Sequence, residues 1–203
     1  MFQRNYTRVT DYDTIFQFLQ DHNFGIIVSD NPLKITHLPF VIHKSDHEGQ
    51  FVVEAHFARA NEHWESIDKK EVVLIFTGPH GYISPRVYTT PGVPTWNYSV
   101  VHLYGTAEII QDPSDHIAII GKLVNQYEKD PVAWNIDQLD PMVLQRQYQN
   151  TVSFRVVSHR VDAKFKLSQN KSEEDRVKII NQLQSGNSQD KALAEFMIVQ
   201  LDE

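Results

Sequence analysis

The sequence contains no cysteine among its 203 residues. Without thiols the protein has no disulfide framework, no iron–sulfur cluster and no cysteine nucleophile, which leaves histidine and carboxylate side chains as metal ligands. Two phosphate-binding motifs are also missing, because neither G-x-G-x-x-G nor a Walker A sequence occurs. If the protein binds a phosphorylated molecule, side chains must hold the phosphate.

Long apolar runs and an excess of positive charge are missing as well. No segment reaches the roughly 18 consecutive apolar residues of a membrane-spanning helix, and MFQRNYTRVT at the amino end lacks the apolar centre of a signal peptide. The 26 acidic residues outnumber the 19 basic ones, so the formal net charge is -7 and no general attraction to nucleic acid or anionic lipid is expected. We therefore expect a soluble, cytoplasmic protein with no membrane partner.

The ten histidines do not form a metal-binding pattern. His56 and His63 are predicted on different elements, a strand and a short helix, and the helical motif H-E-x-x-H does not occur. No G-x-S-x-G motif marks a hydrolase serine either. We expect no metal ion, and the sequence leaves the catalytic residues unknown.

Hydrophobic periodicity predicts an α+β fold built on an antiparallel barrel. Thr10 resembles an N-cap for the first helix, and Asp140 followed by Pro141 resembles the start of a later one. Gly105 is a natural bend in a long strand. We predict strands at 25–29, 34–43, 50–58, 71–76, 96–110 and 151–165, and helices at 11–22, at 62–67, from Pro113, from Pro141, at 172–184 and around 192–199.

The carboxyl-terminal residues are predicted to be a pair of helices. A helix-turn-helix is one interpretation, because Ser185-Gly186-Asn187 joins the two. Residues 172–203, however, hold seven acidic and three basic residues, a balance that DNA phosphates repel. We therefore predict a barrel domain over 1–170, and a helical extension over 171–203 that packs on the barrel or on a dimer partner.

Residues 76–98, FTGPHGYISPRVYTTPGVPTWNY, are predicted to be a loop between two strands. The loop is rich in rings and hydroxyls, such as Tyr82, Ser84 and Trp96, where a plain connection needs only small turn residues. Flat ligands stack on such rings, and their polar edges need a few fixed donors and acceptors. The alternative is that the rings pin a long loop over the sheet.

The segment HFARANEHW is a second candidate for ligand binding. Arg59 is predicted to end a strand and Asn61 to open a helix, so a guanidinium, an amide and free helix N–H groups meet at one place. A phosphate group fits such a corner. The alternative is that Asn61 only caps the helix and Arg59 only forms a surface ion pair.

Five motifs, spaced in order along nearly the whole chain, resemble one known family. They are THLPF at 36–40, AHFARANEHW at 55–64, FTGPHGYISP at 76–85, VPTWNYSVVHLYG at 93–105 and KFKLSQNKS at 164–172. Together they resemble the PaiB family of FMN-binding negative transcriptional regulators. The resemblance implies the FMN-binding split barrel, a fold shared with pyridoxamine-phosphate oxidases, and a homodimer with flavin at the subunit interface.

The resemblance also implies which residues bind FMN. The strand at 36–39 and the turn at Arg59 and Asn61 would hold the phosphate and ribityl chain, whereas Tyr82 and Ser84 would line the ring pocket. Trp96 and its neighbours would come from either subunit. The complete cofactor-binding set is Lys34, Thr36, His37, Leu38, Pro39, His56, Arg59, Asn61, His63, Trp64, Tyr82, Ser84, Trp96, Asn97, Tyr98 and Lys166.

The family likeness leaves two kinds of function open. We expect a regulator that acts through its ligand or a protein partner, because the acidic charge makes direct reading of DNA doubtful. The alternative is a flavin-dependent oxidoreductase acting on a small molecule or on haem.

Overall fold

The computed structural model describes residues 1–2, 4–47, 49–128, 130, 134 and 136–200. The chain divides into two compact units. The first unit contains Met1–Ile15, Thr77–Val101 and the chain from Asp162 onward. The second contains Phe16–Phe76 and His102–Val161.

Eight strands of the described chain form one sheet in the order β3-β2-β6-β7-β8-β5-β4, with β1 paired to β8. The β1–β8, β2–β3, β2–β6, β4–β5 and β5–β8 pairs are antiparallel. The predicted antiparallel α+β fold is therefore confirmed. The strands are β1 Arg8–Val9, β2 Phe24–Asp30, β3 Leu33–Pro39, β4 Val41–Lys44, β5 Phe51–Ala58, β6 Glu71–Ile83, β7 Thr95–Ile109 and β8 Thr151–Lys166.

Five α-helices occur among the described residues, and one of them begins at the Asp140 cap predicted from the sequence. Asp112 and Asp140 each accept hydrogen bonds from the first turn, with proline next to the cap. Ser172 caps the fourth helix, and Asn187 with Asp190 forms a capping box at the fifth. The helices are α1 Tyr12–Asp21, α2 Pro113–Tyr127, α3 Pro141–Gln149, α4 Glu173–Gln184 and α5 Ser188–Val199.

Phenylalanines form the core of the second unit. The rings of Phe57 and Phe154 stack at 4.8 Å, and Phe40 meets the edge of Phe76 at 5.4 Å. All four side chains are fully buried. Large buried rings contribute most to such a core, and truncating one to alanine typically costs about 3–5 kcal/mol.

The carboxyl-terminal helices pack inside the first unit. Phe196 of α5 meets the ring of Phe165 on β8 edge-on at 5.2 Å. Leu193 and Met197 are fully buried on the same helix. The helical pair thus completes a core for the first unit. None of the described helices is long and apolar enough to cross a membrane.

Three local predictions were wrong. The return strand 34–43 is two strands, because Phe40 is buried and its N–H donates to Asn23, which interrupts the ladder before β4 pairs with β5. The predicted loop 76–98 is shorter, because β6 continues its buried and exposed alternation to Ile83. The cap of α1 is Asp11 rather than Thr10, since the Asp11 carboxylate accepts from the backbone N–H of Thr14 at 2.7 Å.

Candidate functional site

The first unit contains a cavity of about 510 Å³, a size typical of small-molecule sites. We call it the aromatic–lysine cavity. Its lining combines five aromatic side chains with four cationic ones, and both kinds come from distant parts of the sequence. The aromatic residues are Phe2, Tyr6, Tyr88, Trp96 and Tyr98, and the cations are Arg4, Lys164, Lys166 and Lys171.

Strand pairing brings these side chains together. β1 pairs with β8, placing Arg8 opposite Lys164, so the amino-terminal segment runs beside the lysines of β8. At the start of β7, the Lys166 ammonium donates to the Thr95 hydroxyl and, at 2.7 Å, to the Trp96 carbonyl. The cavity therefore joins the beginning, the middle and the end of the chain.

None of the four cations forms a salt bridge with a carboxylate of the described residues, although the charge of Lys171 helps to lower the pKa of the Asp175 carboxyl. Burial lowers the pKa of the Lys166 ammonium, and the nearby charges of Lys164 and Arg4 lower it further. A protein of net charge -7 thus concentrates positive charge at one place. Such a cavity attracts an anion, which would relieve the repulsion among the cations.

The rings of the cavity wall are held in defined positions. The Lys171 ammonium lies 3.9 Å from the centre of the Tyr88 ring, and Lys164 lies 5.1 Å from that of Tyr98. Gly92 is required beside Tyr88, because a Cβ there would lie 2.6 Å from the ring. The buried Tyr88 hydroxyl has no hydrogen-bond partner among the described residues, and burial followed by the charge of Asp175 raises its pKa. An orphaned hydroxyl in a cavity wall fits a site for a polar ligand.

Asn97 also lines the cavity, but its side chain is fully buried and engaged. Its amide oxygen accepts from Ser168 at 3.1 Å, and its amide nitrogen donates to the Met197 sulfur at 3.7 Å. These contacts tie β7 to the segment after β8 and to α5. Asn97 therefore supports the cavity wall.

In the second unit, a chain of hydrogen bonds surrounds His63, which is 1% exposed. Asn61 donates to the Thr36 hydroxyl at 3.2 Å, and that hydroxyl lies 2.9 Å from His63 Nδ1. His63 Nε2 lies 3.0 Å from Ser29, whose own proton goes to the Pro32 carbonyl. Since Ser29 must accept there, His63 carries a proton on Nε2, and in the neutral ring Nδ1 accepts from the Thr36 hydroxyl.

Two further features of this group are structural. Burial lowers the pKa of His63, with the charge of Lys34 as a smaller cause, which agrees with the neutral ring. The Asn61 side chain caps the 3-10 helix Glu62–Ser66 by accepting from the His63 N–H at 3.1 Å. The predicted capping role of Asn61 is therefore confirmed. Lys34 donates to the Glu62 carbonyl at 2.7 Å.

Arg59 is exposed, and backbone oxygens hold its side chain. Its Nε donates to the Gln149 carbonyl at 2.6 Å, and Nη2 donates to the Thr151 carbonyl at 3.1 Å. The Trp64 indole N–H donates to the Arg59 carbonyl at 3.0 Å. The surface ion pair considered from the sequence does not occur among the described residues, and binding of a phosphate by Arg59 stays a prediction.

The remaining predicted residues lie at separate places. His37 is exposed on β3, whereas Leu38 is half-buried on the same strand. Tyr82 is 53% exposed, and its ring centre lies 6.3 Å from that of Trp96. Ser84 caps the 3-10 helix Pro85–Val87. Pro39 and His56 line a cavity of about 250 Å³ in the second unit. Among the described residues no cluster of histidines and carboxylates could hold a metal ion.

The sequence interpretation missed much of the aromatic–lysine cavity. One signal was present, because Lys164 and Lys166 alternate along a strand and so share one face. The amino-terminal residues had no comparable signal, since only the long-range pairing of β1 with β8 places them there. The missed lining residues are Phe2, Arg4, Tyr6, Thr7, Val93, Pro94, Lys164, Ser168, Asn170 and Lys171.

The fold and the relatives of the chain define a class, the flavin-binding split-barrel proteins. The chain belongs to the family described as "Putative FMN-binding domain", whose model matches residues 1–160. It is also 35% identical over 203 residues to the Protease synthase and sporulation protein PAI 2 of Bacillus subtilis, covering 97% of this chain and 96% of that protein. The resemblance to the PaiB family is therefore confirmed.

Two solved structures share the fold. The flavocytochrome Anf3 from Azotobacter vinelandii matches with a TM-score of 0.64 at 18% identity, over 86% of this chain and 78% of that one. The FAD and haem binding protein from Mycobacterium smegmatis matches with a TM-score of 0.62 at 11% identity, over 84% of this chain and 78% of that one. The predicted split-barrel fold is confirmed, and FMN is the cofactor of the family.

Proposed function

We propose that this protein is an FMN-binding negative transcriptional regulator of the PaiB type, and that it holds FMN in the aromatic–lysine cavity. One observation carries the placement: four cations line this cavity beside several rings, and none of them forms a salt bridge with a described carboxylate. FMN has the complementary chemistry, a phosphate at one end and a flat ring system at the other. When bound, the flavin supplies a redox-active ring.

Different side chains of the cavity would bind the phosphate and the ring system of FMN. Lys164, Lys166 and Arg4 would attract the phosphate, with Lys166 held in place by the Trp96 carbonyl. The rings of Tyr88, Trp96 and Tyr98 would pack against the isoalloxazine, and the free Tyr88 hydroxyl would bond its polar edge.

Titration with FMN and with riboflavin tests this placement, because riboflavin lacks the phosphate. We expect wild type to quench FMN fluorescence saturably, and Lys166→Ala to weaken FMN about tenfold or more while changing riboflavin little. Lys178→Ala is the matched control, since Lys178 is an exposed lysine that pairs with Glu174 on α4. Failure of wild type to bind FMN saturably would overturn the proposal.

The sequence-based alternative places the phosphate at Arg59, and the same titration decides between the two. We expect Arg59→Ala to keep the preference for FMN over riboflavin. If Arg59→Ala loses that preference and Lys166→Ala behaves as wild type, the phosphate binds at Arg59 and Asn61 instead.

We also propose that the protein is a homodimer that uses an apolar face of its sheet. On β3 and β2, Leu33 is 72%, Phe24 63% and Ile35 60% exposed. In register, Ile35 lies opposite Val28, which lies opposite Val73 on β6. A contiguous exposed apolar face favours association. Two copies that each carry a charge of -7 meet with least repulsion where the centre of contact is uncharged. Sedimentation of wild type over a range of concentrations tests the dimer.

Regulation would act through a protein partner or the bound ligand, because the acidic chain and acidic tail oppose contact with DNA. We expect purified protein not to shift promoter DNA at physiological salt. A shift that weakens with added salt would show direct binding. Action in the cytoplasm is part of the same proposal, and cell fractionation tests it.

The solved relatives favour one other function, a flavin-dependent oxidoreductase. Anf3 is named a flavocytochrome, and the Mycobacterium smegmatis protein is named for FAD and haem. Reduction of the bound flavin by NAD(P)H without oxygen, at a rate above that of free FMN, would support an enzyme. A rate no higher than that of free FMN would favour the regulator.

A further inference from the structure

The second unit contains a cavity of about 410 Å³, which shares no lining residue with the aromatic–lysine cavity. We call it the Arg59 cleft. Ile110, Ile117 and Val152 supply apolar walls, with Ile117 43% exposed on α2. Small-molecule sites commonly have this form, an apolar cleft with a few placed polar groups.

Arg59 is the charged group of the cleft. Two of its N–H groups are fixed by the carbonyls of Gln149 and Thr151, so the guanidinium is oriented before any ligand arrives. Carbonyls are neutral, and no described carboxylate forms a salt bridge with Arg59. Its remaining N–H groups can donate to a ligand, and the planar guanidinium matches the two oxygens of a carboxylate.

His116 also lines this cleft, and hydrogen bonds tie its ring to the scaffold. Its Nε2 lies 3.0 Å from the Tyr148 carbonyl, which can only accept, so the proton is on Nε2. Its Nδ1 lies 2.7 Å from the Ser153 hydroxyl. The imidazole therefore joins α2 to β8, with both ring nitrogens bonded to the scaffold. Arg59 is the cation of the cleft that has N–H donors left for a ligand.

We propose that the Arg59 cleft binds a small organic acid, with its carboxylate on Arg59 and an apolar body against Ile110, Ile117 and Val152. The rim side chains Gln111 and Gln145 offer amides to any hydroxyl or amide that the acid carries. The protein thus has a site for a second ligand, independent of the flavin. For a regulator, such a site is suited to an effector molecule.

Calorimetric titration with 3-phenylpropionate and with its amide, 3-phenylpropanamide, tests the proposal. We expect wild type to bind the acid saturably and the amide at least about tenfold more weakly, because charge-assisted hydrogen bonds are the stronger ones. We expect Arg59→Gln to weaken the acid by a similar factor. Arg146→Gln, which removes the same charge from an exposed position on α3, should leave binding unchanged.

A second variant covers the possibility that Arg59→Gln disturbs the fold. Ile117→Trp should fill the cleft from the exposed side of α2 and block the acid while Arg59 and its backbone contacts remain. Equal affinity for acid and amide, equal loss in Arg146→Gln, or no saturable binding of the acid to wild type would each overturn the proposal. FMN affinity that falls in Arg59→Gln while riboflavin affinity holds would also overturn it, because Arg59 would then bind the flavin phosphate.

Discussion

A single carboxylate, Glu54 on β5, lies at the centre of three basic side chains. Glu54 is 1% exposed, yet it accepts from Lys122 at 2.6 Å and from Arg155 at 2.7 and 2.9 Å, and His43 lies 3.6 Å away. Burial raises the pKa of the Glu54 carboxyl, but the bonds to Lys122 and Arg155 outweigh it, so the pKa is lowered. The ion pairs therefore link α2, β5 and β8 through one buried group.

Glu54→Gln should lower the free energy of unfolding by about 2–4 kcal/mol at pH 7, because it leaves two cations without their buried partner. A lowered folded pKa means that Glu54 stabilises the protein above the pKa of the unfolded state, and that this contribution fades as pH falls through the folded pKa. Urea unfolding at pH 7 and at acid pH should therefore show a shrinking difference between wild type and variant. The exposed Glu174→Gln should cost less than about 0.5 kcal/mol. A constant difference at all pH values would contradict the assignment.

At the scale of elements, β7 and β8 pack unusually closely at Gly105. A Cβ on Gly105 would lie 2.4 Å from the Val157 carbonyl oxygen, which is backbone and cannot move aside alone. Gly105→Ala should therefore lower the free energy of unfolding by at least about 2 kcal/mol. Gly121→Ala is the matched control, because Gly121 lies in α2 with open space around it. This substitution should raise the free energy of unfolding by up to about 1 kcal/mol. Thermal and urea unfolding measure both, and a neutral Gly105→Ala would contradict the close approach.

Elements were predictable from the sequence where local chemistry decides them. Asp112, Asp140 and Ser172 start helices because their side chains satisfy free N–H groups of the first turn, and that signal is local. The break at Phe40 was not predictable, because the alternation of apolar residues runs on from β3 into β4. The two are separate strands only because β3 pairs with β2 and β4 pairs with β5. Gly105 was identified, but as a bend, since the approach of β8 comes from residues about fifty positions away.

The candidate site was less predictable than the fold. Trp96, Tyr98 and Lys166 were identified, and the structure brings them to one cavity. Arg4 and Phe2 were not, because their place depends on pairing between the two ends of the chain. Grouping Arg59 with Trp96 in one binding set rested on resemblance, and each of these residues lines a different cavity.

At the scale of the whole molecule, the proposed dimer depends on the exposed face of β3. Ile35→Glu places a charge in the centre of that face, where a second acidic chain would bring another, so we expect a monomer of unchanged fold. Val177→Glu is the control, because Val177 is 50% exposed and lies on α4, which is not one of the strands that form this face. Sedimentation velocity measures the mass. A dimer that survives Ile35→Glu would exclude this face.

Three of the four cations of the aromatic–lysine cavity lie in one short stretch of the chain. Lys164, Lys166 and Lys171 all fall within residues 161–172, whereas Arg4 comes from the amino end. With FMN in the cavity as proposed, exchanging residues 161–172 for those of another family member should change the affinity for FMN while the barrel keeps its fold. Fluorescence titration of the chimera measures that change.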